Sequence, residues 1–260
     1  MPSMSRSYPS LAYIPDPQCK PGVPVNHLDA LGNYLLEKQP DYWVLAGDHY
    51  DMPSCSRHKG PLDSEGSRIE DDLEAGHDGL RRICGPTDKW NKRRKKHNQY
   101  RPKKIVTVGN HEMQLLRYIN ENKELVGGQY GMHSFNFKEH GFKVVPFLEP
   151  ICIQGVWFSH YYANPLSSRP IGGNSHYKLS KLCFSFTMGH VQIFDYAERN
   201  LQNGRTLCGL VAGAFYQHDE DYKGVQGNKH WRGIVMKHEM REGQYDLMKV
   251  SLNFLLDRYA

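Results

Sequence analysis

The sequence predicts an α/β fold built on two sheets, and three observations lead there. Short apolar runs rich in Val, Ile, Trp and Phe recur up to residue 190, each stopping just before a side chain able to bind a metal or carry a proton. Stretches of helical periodicity lie between these runs. Beyond residue 205 the composition turns to β-type, punctuated by glycine. Runs of four to six apolar residues bounded by Gly, Pro or Asn read as buried strands.

In order, the first strand is 11–14, ahead of Asp16. A helix over 26–37 follows, with Leu28, Leu31, Leu35 and Leu36 near helical spacing and Asn26 as its cap. The second strand, 43–46, precedes Asp48. Ser67 and Glu70 match a capping box, and Ile69, Leu73, Leu80 and Ile83 share a face, so 67–84 reads as a surface helix. Strand 105–108 leads to Asn110, and 113–121 continues as helix. Strand 156–158 leads to His160. A short helix over 174–182 then runs into strand 183–188 and His190. Segments 207–216, 231–239 and 245–256, with turns at Gly224, Gly227 and Gly243, read as antiparallel strands of a second sheet. No repeat or long linker divides the chain, so residues 1–260 are expected to form one two-sheet domain.

Composition narrows the function. Apolar residues make up 39% and charged residues 23% of the chain, and mean hydropathy is −0.67, which suits a folded hydrophilic protein. The most apolar region, 144–166, is broken by Pro146, Glu149, Pro150, Gln154, Asn164 and Pro165, so no membrane span is expected. The first ten residues lack the basic-then-apolar pattern of a secretory signal, and a cytoplasmic location is expected. Six scattered cysteines without a Cys-x-x-Cys pair speak for free thiols. Neither a Gly-x-Ser-x-Gly elbow nor a Walker loop occurs, which argues against serine-hydrolase and nucleotide-driven chemistry.

Net charge is +5, yet nine of the 33 basic residues fall between Lys89 and Lys104 with no carboxylate among them. Without that segment, acidic residues outnumber basic ones. The basic insertion at about 85–104 offers Lys89, Lys92, Arg93, Arg94, Lys95, Lys96, Arg101, Lys103 and Lys104, interleaved with Trp90 and Tyr100. Cations for phosphates and aromatics for bases make a nucleic-acid surface; the alternative is a solvated face that only aids solubility.

The residues past the strand ends form a set: Asp16, Gly47-Asp48, Gly109-Asn110-His111-Glu112, His160 and Gly189-His190-Val191-Gln192. Their order resembles the calcineurin-like metallophosphoesterase superfamily, in particular its compact bacteriophage and bacterial members. That family's pattern is Asp-x-His, Gly-Asp-x-x-Asp, Gly-Asn-His-Glu/Asp, a lone His and Gly-His-x-His. The likeness spans Asp16 to Gln192, and Gly-Asn-His-Glu is its most specific part. It implies a four-layer α/β/β/α sandwich with a two-metal centre at one edge. Asp48 would bridge the metals, Asn110, His160 and His190 would complete one site, and Asp16 would serve the other. Two cations about 3.5 to 4 Å apart clamp the attacking and leaving oxygens of a phosphoester and activate a bridging hydroxide. The resemblance makes His111 the group that protonates the leaving oxygen or steadies the transition state, and Asp51 the group that orients it; the alternative for Asp51 is a turn or helix cap.

Two departures fall on one site, where Gln18 and Gln192 replace both imidazoles. An oxygen-only set favours Mn²⁺, with Mg²⁺, Zn²⁺ or Fe as other choices, and should bind more weakly than the histidine site. The alternative is that the glutamines only hydrogen-bond water and one metal binds. The expected function is a divalent-metal phosphodiesterase or nuclease acting on DNA or RNA. A phosphomonoesterase for phosphoproteins or small nucleotides, and a catalytically silent nucleic-acid-binding module, are the competing readings.

Overall fold

The computed structural model describes residues 8–57, 66–126, 128–220 and 224–260; Met1 to Ser7 lie outside them. Among the described residues, eleven strands form two sheets. In the first, β1 (Leu11–Ile14), β2 (Tyr42–Leu45), β3 (Lys103–Thr107) and β4 (Phe142–Val145) run parallel, and β10 (Gly233–Arg241) and β11 (Gln244–Ser251) extend the β1 edge antiparallel. The second has the order β5 (Ile151–Ile153), β6 (Val156–Phe158), β7 (Phe186–Met188), β9 (Thr206–Ala212), β8 (Phe194–Asn200), with β6, β7 and β9 parallel.

The sheets pack face to face. Alternation along the strands sends Leu11, Tyr13, Val44, Ala46 and Ile105 inward to meet Val156, Phe158, Cys208, Leu210 and Ala212 of the second sheet. The opposite residues of the first sheet, among them Ala12, Ile14, Trp43, Leu45 and Val106, pack against α1 (Asn26–Lys38), α2 (Ile69–Lys92) and α7 (Leu252–Tyr259). On the outer face of the second sheet, Leu179 of α5 (Ser175–Leu182) joins Phe186, Met188 and Val211. Helix, sheet, sheet, helix is the layer order, as the family resemblance implies. The chain also carries α3 (Glu112–Glu121), α4 (Lys123–Val126) and α6 (Gly224–Asn228).

Several boundaries differ from the sequence reading for identifiable reasons. The second helix runs to Lys92 through Pro86, and its first turn lacks a side-chain cap; Arg68, not Ser67, stands at the N-cap. Proline at position 86 removes a donor to the Arg82 carbonyl. That carbonyl faces α1 at Gly32, where an added Cβ would lie 2.7 Å from Arg82 O and 2.9 Å from the Pro86 ring. Gly32 therefore lets the two helices approach closely enough to cover the interruption. Asn26 does not cap α1, whose N-cap is Val25. Asn174 does cap α5, accepting the Tyr177 N–H at 2.9 Å.

Segments 231–239 and 245–256 do not belong to a second sheet. They are β10 and β11 of the first, because Ile234, Met236 and Val250 face the helices while Val235 faces the inter-sheet core. The expected final strand also stops early. The Ser251 hydroxyl accepts the Phe254 N–H at 3.2 Å and starts α7, which buries Leu252 and Leu255, three residues apart. Gly224 opens α6 rather than a turn.

Candidate metal centre

The parallel strands β1, β2 and β3 end in register, Ile14 beside Leu45 and Leu45 beside Val106. The loops leaving these carboxyl ends bring Asp16, Asp48 and Asn110 to one edge. On the facing sheet, β6 and β7 pair Phe158 with Thr187 and deliver His160 and His190 to the same edge. One crevice thus collects groups from both sheets, at the position where open α/β sheets bind ligands.

Four lone-pair-bearing atoms converge there. His160 Nε2 and His190 Nδ1 each lie 2.8 Å from Asn110 Oδ1, and Asp48 Oδ2 is 3.3 Å from His160 Nε2. Ligating atoms of Asp48, His160 and His190 all fall within 4.8 Å of one another. Ligands about 2.0 to 2.2 Å from one ion sit roughly 3 to 3.5 Å apart, so the spacing fits one cation with little movement. The outer nitrogen of His160, Nδ1, is 2.7 Å from the Ala46 carbonyl. A proton on Nδ1 makes that hydrogen bond and leaves the Nε2 lone pair facing the centre, the usual outer support of a ligating imidazole.

Two further groups border the cluster with buried polar atoms that lack a hydrogen-bond partner. Asp16 is fully buried; one of its oxygens accepts the His190 N–H at 2.8 Å, while Oδ1 has no partner. Both polar atoms of the Gln18 side chain are buried without partners. Buried polar groups are rarely left in this state. A cation or ordered water beside them would satisfy both, so the residues present fit a divalent ion. Gln192 is placed differently: its amide oxygen accepts the Tyr216 hydroxyl at 3.0 Å.

Electrostatics point the same way. Burial, opposed by His160 and reinforced by Asp48, raises the Asp16 pKa to about 8. Burial would lower His160, but the Asp48 carboxylate outweighs it and raises it to about 9. Burial and the neighbouring His160 lower His190 to about 4. Asp48, despite burial, is held below the usual carboxylate range by His160 and His111. Without a metal, protons supply the positive charge the centre demands, and a dication would displace them.

The loops are strained and pinned. Asp16, Gln18, Asp48, His190 and Gln192 all have positive φ, between 37° and 65°. Such conformations cost of order 1 to 3 kcal/mol each and persist only where surroundings enforce them. Part of the enforcement is the Gln18 N–H, which donates to the Asp48 carbonyl at 2.8 Å. At Gly109 an added Cβ would collide with Asp48 Oδ1, and at Gly189 with Asp16 Oδ1, so glycine lets backbone close on both carboxylates.

Glu112 is the strongest of these pins. Fully buried, it accepts the N–H groups of Asp48 (2.9 Å) and Gly109 (2.8 Å) on one oxygen, and those of His49 (2.7 Å) and Tyr50 (3.1 Å) on the other. One carboxylate therefore welds the β2 loop to the β3 loop. Burial and the Asp48 charge lift its pKa against the pull of these donors. The sequence reading used Glu112 only as part of a motif; a buried acid one turn past a glycine-bearing loop was the available signal for this role.

Beside the cluster, His111 Nδ1 lies 2.7 Å from Asp51 Oδ1 and its Nε2 lies 3.8 Å from Asp48 Oδ2. Burial opposes protonation of His111, but Asp48 and then the bond to Asp51 raise its pKa well above the usual imidazole value. Asp51 in turn is 3.4 Å from Lys20 Nζ, which contacts Glu220 at 2.7 Å, and Glu220 meets His218 at 2.7 Å. Lys20 carried no sequence signal, because its partners Asp51 and Glu220 are remote in the chain.

The basic segment is placed elsewhere. Lys103 opens β3 whereas Asn110 follows its far end, and seven residues of near-extended chain span roughly 20 Å. Lys89 and Lys92 close α2 and lie, with Arg93, Lys95, Lys96 and Arg101, on the exposed surface at the edge opposite the metal-type cluster. The aromatics are already engaged. Arg94 stacks on Trp90 with its guanidinium carbon 3.1 Å from the ring centroid. The Tyr100 hydroxyl accepts the Trp43 indole N–H at 2.8 Å and donates to Pro40 O at 2.5 Å. Lys104 covers the Trp43 ring and donates to His140 O. Standing between two ligand motifs in sequence did not put the segment beside them in space, because a parallel crossover returns the chain to the opposite edge before the next strand begins.

No protein-family model matches the chain, and no curated protein matches it. Among solved structures, Yfce, a phosphoesterase from E. coli, aligns over 94% of this chain and 100% of its own, at 12% identity and a TM-score of 0.40. So loose an alignment decides nothing about residue roles, and the site's chemistry stands on its own geometry. No helix among the described residues is long and apolar enough to cross a membrane.

Proposed function

We propose that this protein is a divalent-metal-dependent phosphoester hydrolase. The observation that carries the reading is the meeting of Asp48, Asn110, His160 and His190, drawn from two sheets, beside the unpartnered buried atoms of Asp16 and Gln18. A divalent ion held there would supply the charge that activates water and neutralises phosphoryl oxygens. Mn²⁺ suits a set mixing carboxylate, amide and imidazole donors. Asp16, Gln18 and Asp48 are the candidates for a second, weaker position, with Gln192, whose amide oxygen keeps a second lone pair beside its bond to Tyr216.

The protein's own groups do the rest. His111, protonated and held at Nδ1 by Asp51, presents Nε2 at the rim of the cluster, where it can donate a proton to a leaving oxygen. Glu112 fixes the backbone on which both Asp48 and His111 sit. A small phosphoester, cleaved as a monoester, is the substrate class the layout favours over DNA or RNA, since the exposed basic surface lies roughly 20 Å from the cluster. The test is hydrolysis of p-nitrophenyl phosphate, bis-aryl phosphate and labelled DNA and RNA with Mn²⁺, alongside Asp48→Asn. Hydrolysis of the aryl monoester lost in Asp48→Asn supports the proposal. No metal-dependent hydrolysis of any substrate refutes it, and cleavage of nucleic acid alone, falling steeply with salt, restores the nuclease reading.

A further inference from the structure

Next to the metal-type cluster is a cavity of about 320 Å³ that the sequence reading did not anticipate, lined by Arg57, Asn110, Gln114 and Arg117. Its construction follows from helix periodicity. Gln114 and Arg117 follow Asn110 at steps of four and three, so these residues line one side of the chain as it enters α3. Arg57 arrives from the loop after the short 3₁₀ turn Pro53–Cys55 and is tethered to α3 by an ion pair with Glu121, one turn past Arg117. Gln114 has a buried amide oxygen without a partner. Arg117 has no carboxylate partner among the described residues.

Asn110 faces both the metal-type cluster and this cavity, so a ligand in one abuts the other. Two guanidinium groups around a small polar cavity, only one of them paired, make a receptor for an anion, because the planar N–H fork matches phosphate and carboxylate oxygens. At about 320 Å³ the space is at the small end of ligand pockets and holds one such group with its linkage rather than a polymer.

We propose that Arg57 and Arg117 form a subsite for a second anionic group of the substrate, adjacent to the phosphoester being cleaved, so that the preferred substrates are small molecules carrying two phosphates. This rests on the hydrolase reading and specifies its substrate class. The first experiment is independent of turnover: inorganic pyrophosphate is titrated by calorimetry into the full chain without added metal. Binding to the wild type, weakened at least tenfold in Arg57→Ala/Arg117→Ala, supports the subsite. No binding, or equal affinity in both proteins, overturns it. Both arginines are exposed, so the double substitution leaves the core intact.

The second experiment compares kcat/KM for a nucleoside 3′,5′-bisphosphate, whose two phosphates are both monoesters, and for p-nitrophenyl phosphate with Mn²⁺. The ratio is expected to favour the bisphosphate and to fall at least tenfold in the double variant; an unchanged ratio overturns the proposal. A larger loss on a single-stranded oligonucleotide than on the bisphosphate also overturns it, since the second anion would then be a backbone phosphate. Arginine-dependent pyrophosphate binding without hydrolysis of either ester sinks the hydrolase reading while supporting the anion subsite.

Discussion

Replacing Glu112 with glutamine tests whether the centre is built by its backbone loops. The carboxylate accepts four N–H groups, two on each oxygen. Glu112→Gln preserves shape but turns one oxygen into a donor, which abolishes two of the four bonds and leaves two buried N–H groups unmatched. A hydrogen bond to a charged acceptor is worth about 1.5 to 3 kcal/mol, so the loss is about 3 to 6 kcal/mol. Removing a buried charge that burial itself penalises offsets part of this, and a net cost of about 3 kcal/mol remains. For a chain of this size each kcal/mol shifts Tm by about 2 to 4 °C, giving a fall of about 6 to 12 °C by calorimetry. Because Asp48 and the Asn110–His111 turn hang on this weld, Mn²⁺ affinity should fall in parallel, read as a smaller metal-induced rise in Tm. A Glu112→Gln protein with wild-type Tm and wild-type Mn²⁺ response would refute the account.

Asp48→Asn should lower Mn²⁺ affinity at least tenfold by titration calorimetry, because it removes the only carboxylate among the four converging side chains. Gln18→Ala should eliminate a second, weaker Mn²⁺ event; a single binding event in both the wild type and the variant would show that only one ion binds. His111→Ala should cut kcat about 10² to 10⁴-fold with unchanged metal content by elemental analysis. Burial lowers His27 to about 4 from an ordinary value near 6.5. Its folded value is depressed, so its contribution, about 3 kcal/mol, is present above pH 6.5 and lost as pH falls towards 4. His27→Leu should flatten that acid limb in urea unfolding.

Much of this arrangement was legible from sequence, and what was legible has a common physical origin. The strands at Leu11–Ile14 and Val156–Phe158 match the apolar runs residue for residue, because a strand buried on both faces has no polar interruption to blur its ends. Asp16, Asp48, Asn110, His160 and His190 could be grouped because each follows a strand end directly. What escaped depended on tertiary partners. The helix through Pro86 needed Gly32 on a neighbouring helix, and the sheet membership of β10 needed β1, more than 200 residues earlier. The basic run lies at the far edge because nearness in sequence to a ligand motif says nothing about which end of a parallel strand a segment occupies. Arg57 and Arg117 carried no signal, being ordinary surface cations until folding sets them around one cavity.

The ligand cluster draws Asp48 and Asn110 from one sheet and His160 and His190 from the other, across an edge the two layers share. An ion seated there would act as a clasp, tying together halves that otherwise adhere through apolar contact and a few hydrogen bonds such as those from His160 to Ala46 and from His190 to Asp16. Occupancy would then be felt far from the crevice, as slower amide exchange along β2 and β6 and as cooperative melting of both layers. A chelator would loosen the seam before it touched either hydrophobic face.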